Sequence, residues 1–109
     1  MSRAEYWQRG EAIDFKNETE TVIEANEIVT FGKKIGVSGV PIAPGETGTL
    51  FVFGVFDMPK SSANVIAAGT TVYFDGTGIT EEADGNTEAG YSIEAAGAEA
   101  KTIKVKLLG

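Results

Sequence analysis

The run Gly48-Thr49-Leu50-Phe51-Val52-Phe53-Gly54-Val55-Phe56-Asp57, followed by Met58-Pro59-Lys60, limits the fold more than any other part of the chain. It is dense in aromatic and β-branched residues, which suit a pleated, packed strand. Alternation along an extended backbone puts Phe51, Phe53 and Val55 on one face and Leu50, Val52, Gly54 and Phe56 on the other. Both faces are apolar, so the stretch reads as one central strand. One face packs the chain's own core, and the other needs a second layer or a second subunit. Pro59 ends it, because proline brings no N–H to a ladder and holds Met58 extended.

The flanking segments repeat this pattern on a smaller scale. Ile13 and Phe15 alternate with Ala12 and Asp14, and Thr21–Ile23 and Glu27–Phe31 are further β-rich runs before the reversal at Gly32-Lys33-Lys34. Ile35 to Val40 precedes the Pro44-Gly45 turn, which feeds the apolar run and places Ile35 and Val37 opposite Leu50 to Val55 in a hairpin. Residues 61–68 offer an N-cap serine and an alanine-rich interior before Gly69, which fits a short helix or an ordered loop that buries Val65 or Ile66. Thr70 to Asp75 is a strand ended by Asp75-Gly76, with Gly78 to Glu82 returning and Ala83 to Asn86 as the next turn. Ala89, Tyr91 and Ile93 are expected on one face of the strand that follows. At the end of the chain, Ile103, Val105 and Leu107 alternate with Thr102, Lys104 and Lys106, the pattern of a strand buried on one side.

Short strands with glycine-rich turns and no long helix between them describe an all-β fold. The expectation is a small antiparallel β-barrel or sandwich of about eight short strands, with an extended N-terminal arm and at most one short helix near 61–68. Residues 1–9 form the arm and 10–109 a single β domain, since 109 residues suffice for one core. Tyr6 and Trp7, the latter the sole tryptophan, either fold back onto the domain or pack on another chain.

Composition narrows function. The chain has no cysteine and no histidine, which removes thiolate metal sites, disulfides and the commonest general base. A net charge of −7 with scattered basic residues opposes nucleic-acid binding. The first residues show no apolar run of a signal peptide, and no stretch approaches the roughly 18 residues of a membrane span, so synthesis in a cytosol is expected. Asn17-Glu18-Thr19 fits a glycosylation sequon that a cytosolic protein does not use.

Motifs that suggest chemistry are each outweighed. Gly54-Val55-Phe56-Asp57-Met58-Pro59-Lys60-Ser61 matches a phosphate-binding loop except that Pro59 replaces its second glycine. That loop cradles phosphate with backbone N–H groups, and proline has none, so Lys60 is expected as a solvated lysine at a strand end. Asp75-Gly-Thr-Gly and Asp84-Gly-Asn carry oxygen ligands but lack a calcium-loop pattern, and hairpin turns use the same residues. The expectation is a non-enzymatic protein without cofactor or metal, whose two-faced strand completes its core by assembly.

Taken together, Ala12-Ile13-Asp14-Phe15, Ile42 to Leu50, Gly54 to Lys60, Ile66 to Asp75, Ala89-Gly90-Tyr91 and Ile103 to Leu107 resemble, in order, the small phage and prophage capsid cement, or decoration, proteins. Family members more often have tryptophan where Phe74 stands. Many carry a RecA/RadA-type recombinase label, which this chain contradicts: it has no intact Walker motif, an acidic composition and no alternating α/β pattern. The resemblance implies a β-rich virion protein, made in the bacterial host cytoplasm, that binds the outer head surface and reinforces junctions between major capsid protein subunits. It implies a homotrimer on the shell and no nucleic-acid or membrane partner. Tyr6, Trp7 and Arg9 are the candidates for capsid contact, and Phe51, Phe53 and Val55 for the subunit interface. The alternatives are another phage head or tail structural component, or a DNA-processing factor.

Overall fold

The computed structural model describes residues 2–5 and 10–108. Among them are nine strands and no helix: β1 (Ala12–Lys16), β2 (Ile28–Phe31), β3 (Lys34–Ser38), β4 (Thr47–Phe51), β5 (Phe53–Pro59), β6 (Thr71–Phe74), β7 (Ile79–Thr80), β8 (Thr87–Ser92) and β9 (Thr102–Leu108). They form two curled antiparallel sheets, the first in the order β1-β4-β3-β2 and the second in the order β5-β9-β8-β6-β7. The all-β expectation holds.

The apolar run is not one strand. It breaks at Val52, with β4 in the first sheet and β5 in the second. Val52 is buried at the crossing, and its N–H donates to the Glu11 carbonyl. Gly54 follows at φ +127°, a conformation that side chains rarely adopt, which lets the backbone turn out of one sheet's curl into the other's. Two apolar faces therefore mark a handover between sheets rather than the middle of one.

The two sheets are built alike. Adding the second-sheet counterparts residue by residue, Ile13↔Leu50 corresponds to Phe56↔Val105, Asp14↔Thr49 to Asp57↔Lys104, and Phe15↔Gly48 to Met58↔Ile103. Val29↔Gly36 corresponds to Val72↔Gly90, and Ser38↔Leu50 to Ser92↔Val105. The loops match as well. Ile23 and Ile42 exchange two backbone hydrogen bonds, as do Ile66 and Ala96. Asn26 (φ 68°) and Gly69 (φ 79°) turn left-handed at equivalent places, donating to the carbonyls of Ser38 and Ser92. Residues 12–51 and 53–108 are thus two copies of one four-stranded unit. They differ chiefly where the tight Gly32-Lys33 turn of the first unit is replaced in the second by residues 75–86, which add β7.

Close approach requires glycine at the paired positions Gly36 and Gly90. A Cβ on Gly90 would lie 1.9 Å from the Lys106 carbonyl oxygen, and one on Gly36 would lie 3.0 Å from that of Phe51. At Gly90 the ladder also slips: Val72 faces Gly90 but Tyr73 faces Glu88, so Ala89 is an extra residue in β8. The bulge overturns the expected common face of Ala89, Tyr91 and Ile93. Ala89 and Ser92 are buried, Tyr91 is half-buried and Ile93 is exposed.

Two hydrophobic clusters hold the molecule. Ile23, Val29, Ile42 and Leu50, with Ile13, Phe15 and Phe31 at the margin, cover one face of the first sheet, and the Phe15 and Phe31 ring centroids lie 6.1 Å apart. Ile35 and Val37, on that sheet's other face, join Met58, Ile66, Val72, Ile79, Ile103, Val105 and Leu107 in the larger cluster, with Ile28, Phe56 and Phe74 packed against it. The alternation expected of the last strand is present, with Ile103, Val105 and Leu107 all buried.

Two local expectations change, at Thr21–Ile23 and at Lys60, and of the two readings of residues 61–68 the loop is the one observed. Thr21–Ile23 is not a strand; only Ile23 pairs, through its bridge to Ile42. Residues 61–68 form an ordered loop in which Ile66 is buried and Val65 is exposed. Lys60 is buried rather than solvated, its Nζ donating to the Ser62 carbonyl at 2.7 Å. Asn17 is fully buried and acts as a polar pin. Its Nδ2 donates to the carbonyls of Thr21 and Ile42, and its Oδ1 accepts from the backbone N–H and hydroxyl of Thr19.

Candidate interaction surface

Alternation in β5 and β9 decides which side chains reach the outer face of the second sheet. With Val105 and Leu107 committed to the core, Lys106 and Leu108 must point the other way, and the register sets Phe53 opposite Leu108 and Val55 opposite Lys106. β8 adds Tyr91 beside Lys106, and β6 adds Thr71 beside Tyr91. Phe53 is 44 % exposed, Val55 51 % and Leu108 55 %, so an apolar patch remains in contact with solvent. The Lys106 ammonium lies 4.4 Å from the Phe53 ring centroid and 6.0 Å from that of Tyr91. This cation–π placement orders a flexible side chain at the patch centre.

Of the candidates read from sequence, the structure brings Phe53 and Val55 together on this face. Phe51 belongs to the first sheet, where its ring lies over Gly39, and a Cβ on that glycine would meet the ring at 2.6 Å. Tyr6, Trp7 and Arg9 lie outside the described residues. Tyr91, Lys106 and Leu108 were not singled out from sequence. Leu108 had a signal, since it is an apolar residue falling on the wet positions of an otherwise regular alternation. Tyr91 had none, because the bulge beside it shifts its face.

A second cluster of polar groups joins the 61–66 loop to the β6–β7 hairpin. Asp75 Oδ2 accepts from the Ser61 hydroxyl at 2.7 Å, and Oδ1 accepts from the Thr77 N–H, the Thr77 hydroxyl and the Gly78 N–H, each at 2.9 Å. These donors, that of Ser61 foremost, hold the carboxyl well below the usual carboxylate range. Glu81 is drawn down to about 2, first by the Ser62 side chain and then by the Asn64 amide, whose Nδ2 donates to Oε2 at 2.7 Å. Carboxylates so occupied are weak bases, and they act here as staples between segments. The turn reading of Asp75-Gly-Thr-Gly is the one its hydrogen bonds support. Among the described residues no group of three or more acidic, histidine or cysteine side chains is arranged to hold a metal ion, and no helix is long and apolar enough to cross a membrane.

No curated protein and no solved structure matches the chain. The sequence model of one family, described as phage cement protein, matches residues 7–107. The match spans both four-stranded units, the crossing at Val52 and the patch around Lys106. The chain therefore belongs to the phage cement protein family.

Proposed function

We propose that this protein decorates the outside of a phage head and stabilises junctions between subunits of the major capsid protein. The family match over residues 7–107 carries the reading. The shape and surface support it. The molecule measures 43 × 41 × 23 Å, a thin slab suited to lying across a seam. Its outer face carries aromatic and aliphatic groups around a single ordered lysine, the kind of composition that dominates interface energies. A small wedge that touches several shell subunits gains avidity from modest contacts. Its task is to resist the outward pressure of packaged DNA, and no bond is made or broken.

On this reading the protein is made in the bacterial cytoplasm, assembles as a homotrimer on the shell, and has neither nucleic acid nor membrane as partner. Residues 1–9 serve as an arm, with Tyr6, Trp7 and Arg9 as its shell contacts. Phe51, Phe53 and Val55 contribute to the contact between subunits. Purified protein added to heads lacking it is expected to bind expanded heads and raise their resistance to heat or osmotic shock, read by DNA release. Absence of binding to both expanded and unexpanded heads overturns the reading. A chain lacking residues 1–9 is expected to keep its circular dichroism spectrum and lose shell binding. If it binds unchanged, the arm is not the anchor.

A further inference from the structure

The two units use equivalent surfaces differently. In the first unit the sheet face carrying Ile28, Ile35 and Val37 is covered, because it packs against Phe56, Met58, Phe74 and Leu107 on the inner face of the second sheet. A groove of about 160 Å³ between Ile28 and Val37 on one side and Phe56, Met58 and Pro59 on the other marks this joint. In the second unit the counterparts of Ile28 and Val37 are Thr71 and Tyr91, and none of the described residues forms a layer over them: Thr71 is exposed and Tyr91 half-buried, beside the open Phe53, Val55 and Leu108. The complementary half of the joint is likewise spare. Ile13, Phe15 and Phe31 are the first unit's counterparts of Phe56, Met58 and Phe74, and they stay half-buried at the margin of the smaller cluster, with no sheet above them among the described residues. Among the described residues there is thus one internal joint and one unused copy of each of its two surfaces.

We infer that copies of this chain associate head to tail, the outer face of the second sheet in one copy covering Ile13, Phe15 and Phe31 of the next. The occupant is a second copy because the same pair of surfaces already meets once within each molecule. Charge agrees. β9 places Lys106 on the donor face, with Lys104 beyond it opposite Asp57, while the 17–27 loop, whose Ile23 packs onto the acceptor face, carries Glu18, Glu20, Glu24 and Glu27. Such an interface is heterologous: each copy uses one surface to give and another to receive, so it either closes into a ring or continues as a filament. This inference rests on the internal repeat and is independent of the shell reading.

The chain has no cysteine, which makes cross-linking clean. Val55→Cys and Phe31→Cys chains, each checked for a native circular dichroism spectrum, are mixed at millimolar concentration and treated with a short bis-maleimide. The expected product is a mixed dimer in clear excess over either self-linked species. Lys106→Glu in the Val55→Cys chain is expected to lower its yield roughly tenfold. Ile13→Cys takes the place of Phe31→Cys if that variant does not fold. Preferential self-linking of Val55→Cys means a two-fold pairing of identical faces and overturns the inference, as does the absence of any cross-link at that concentration.

Discussion

Asn17 shows how much one side chain carries. Fully buried, it supplies donors to two carbonyls and takes two hydrogen bonds from Thr19. Asn17→Ala removes one of the two hydrogen bonds accepted by each of the Thr21 and Ile42 carbonyls, which keep the Thr19 hydroxyl and the Ile23 N–H respectively, and at about 1 kcal/mol for each bond lost it is expected to lower the urea midpoint accordingly. Asn17→Asp should cost more, since it faces those carbonyls with oxygen and buries a charge. Gly90 is constrained by space on the opposite strand: Gly90→Ala drives a methyl into the Lys106 carbonyl, backbone against backbone, and a loss of about 3 kcal/mol or more is expected. Gly45→Ala meets open space and only its positive φ opposes it, so about 1 kcal/mol is expected from the same denaturation series. Asp75 and Glu81 contribute to the acid sensitivity of the fold. Both have folded pKa values below their unfolded ones, so their contribution is complete above the ordinary values of 3.8 and 4.5. It is lost as pH falls, through about 2 for Glu81 and lower still for Asp75. Both groups are near the surface, so screening keeps the effect modest. Thermal midpoints measured down the acid range should fall in wild type, and less steeply in a Ser61→Ala, Asn64→Ala double variant.

At the scale of elements, the loops matter as much as the strands. Each unit is closed by two loops that touch at one bridge, Ile23 with Ile42 and Ile66 with Ala96, and the isoleucine before each left-handed turn is buried. Ile23→Ala and Ile66→Ala remove the same plug from equivalent sites, and each is expected to cost about 2–5 kcal/mol in equilibrium unfolding. Val22 and Val65, one residue earlier, are exposed, and their alanine variants should stay within about 0.5 kcal/mol of wild type. The same experiment tests the repeat, since matched losses are expected from matched positions. The hairpin of residues 75–86 is the element that breaks the symmetry, and the hydrogen bonds of Asp75 and Glu81 attach it to the 61–66 loop.

For the whole molecule, the consequence of the repeat is a sheet face that the first sheet does not cover. Were the outer face of the second sheet only surface, Val55→Asp would be tolerated and would leave sedimentation unchanged at every concentration. With the head-to-tail contact, concentration-dependent sedimentation is expected in wild type and its loss in Val55→Asp. Much of this was legible in the residues. Period-two alternation places β9 correctly, because a strand's faces follow from backbone geometry alone. Glycine-containing turns at Pro44-Gly45 and Asp75-Gly76 are equally local. The repeat itself was written in the chain, as Val-Ile-Glu-Ala-Asn-Glu-Ile-Val at 22–29 and Val-Ile-Ala-Ala-Gly-Thr-Thr-Val at 65–72, with Gly-Val-Ser at 36–38 answering Gly-Tyr-Ser at 90–92. It is faint because only positions facing the core or crossing another backbone are held alike. What only the tertiary structure decided is which partners the strands take: that the apolar run is shared between two sheets at Val52, that a bulge turns Tyr91 outward, and that the first sheet covers one face of the second and not the other. Those outcomes depend on pairings between residues far apart in the chain, and a pairing has no local signature, since its energy exists only once both strands are in place.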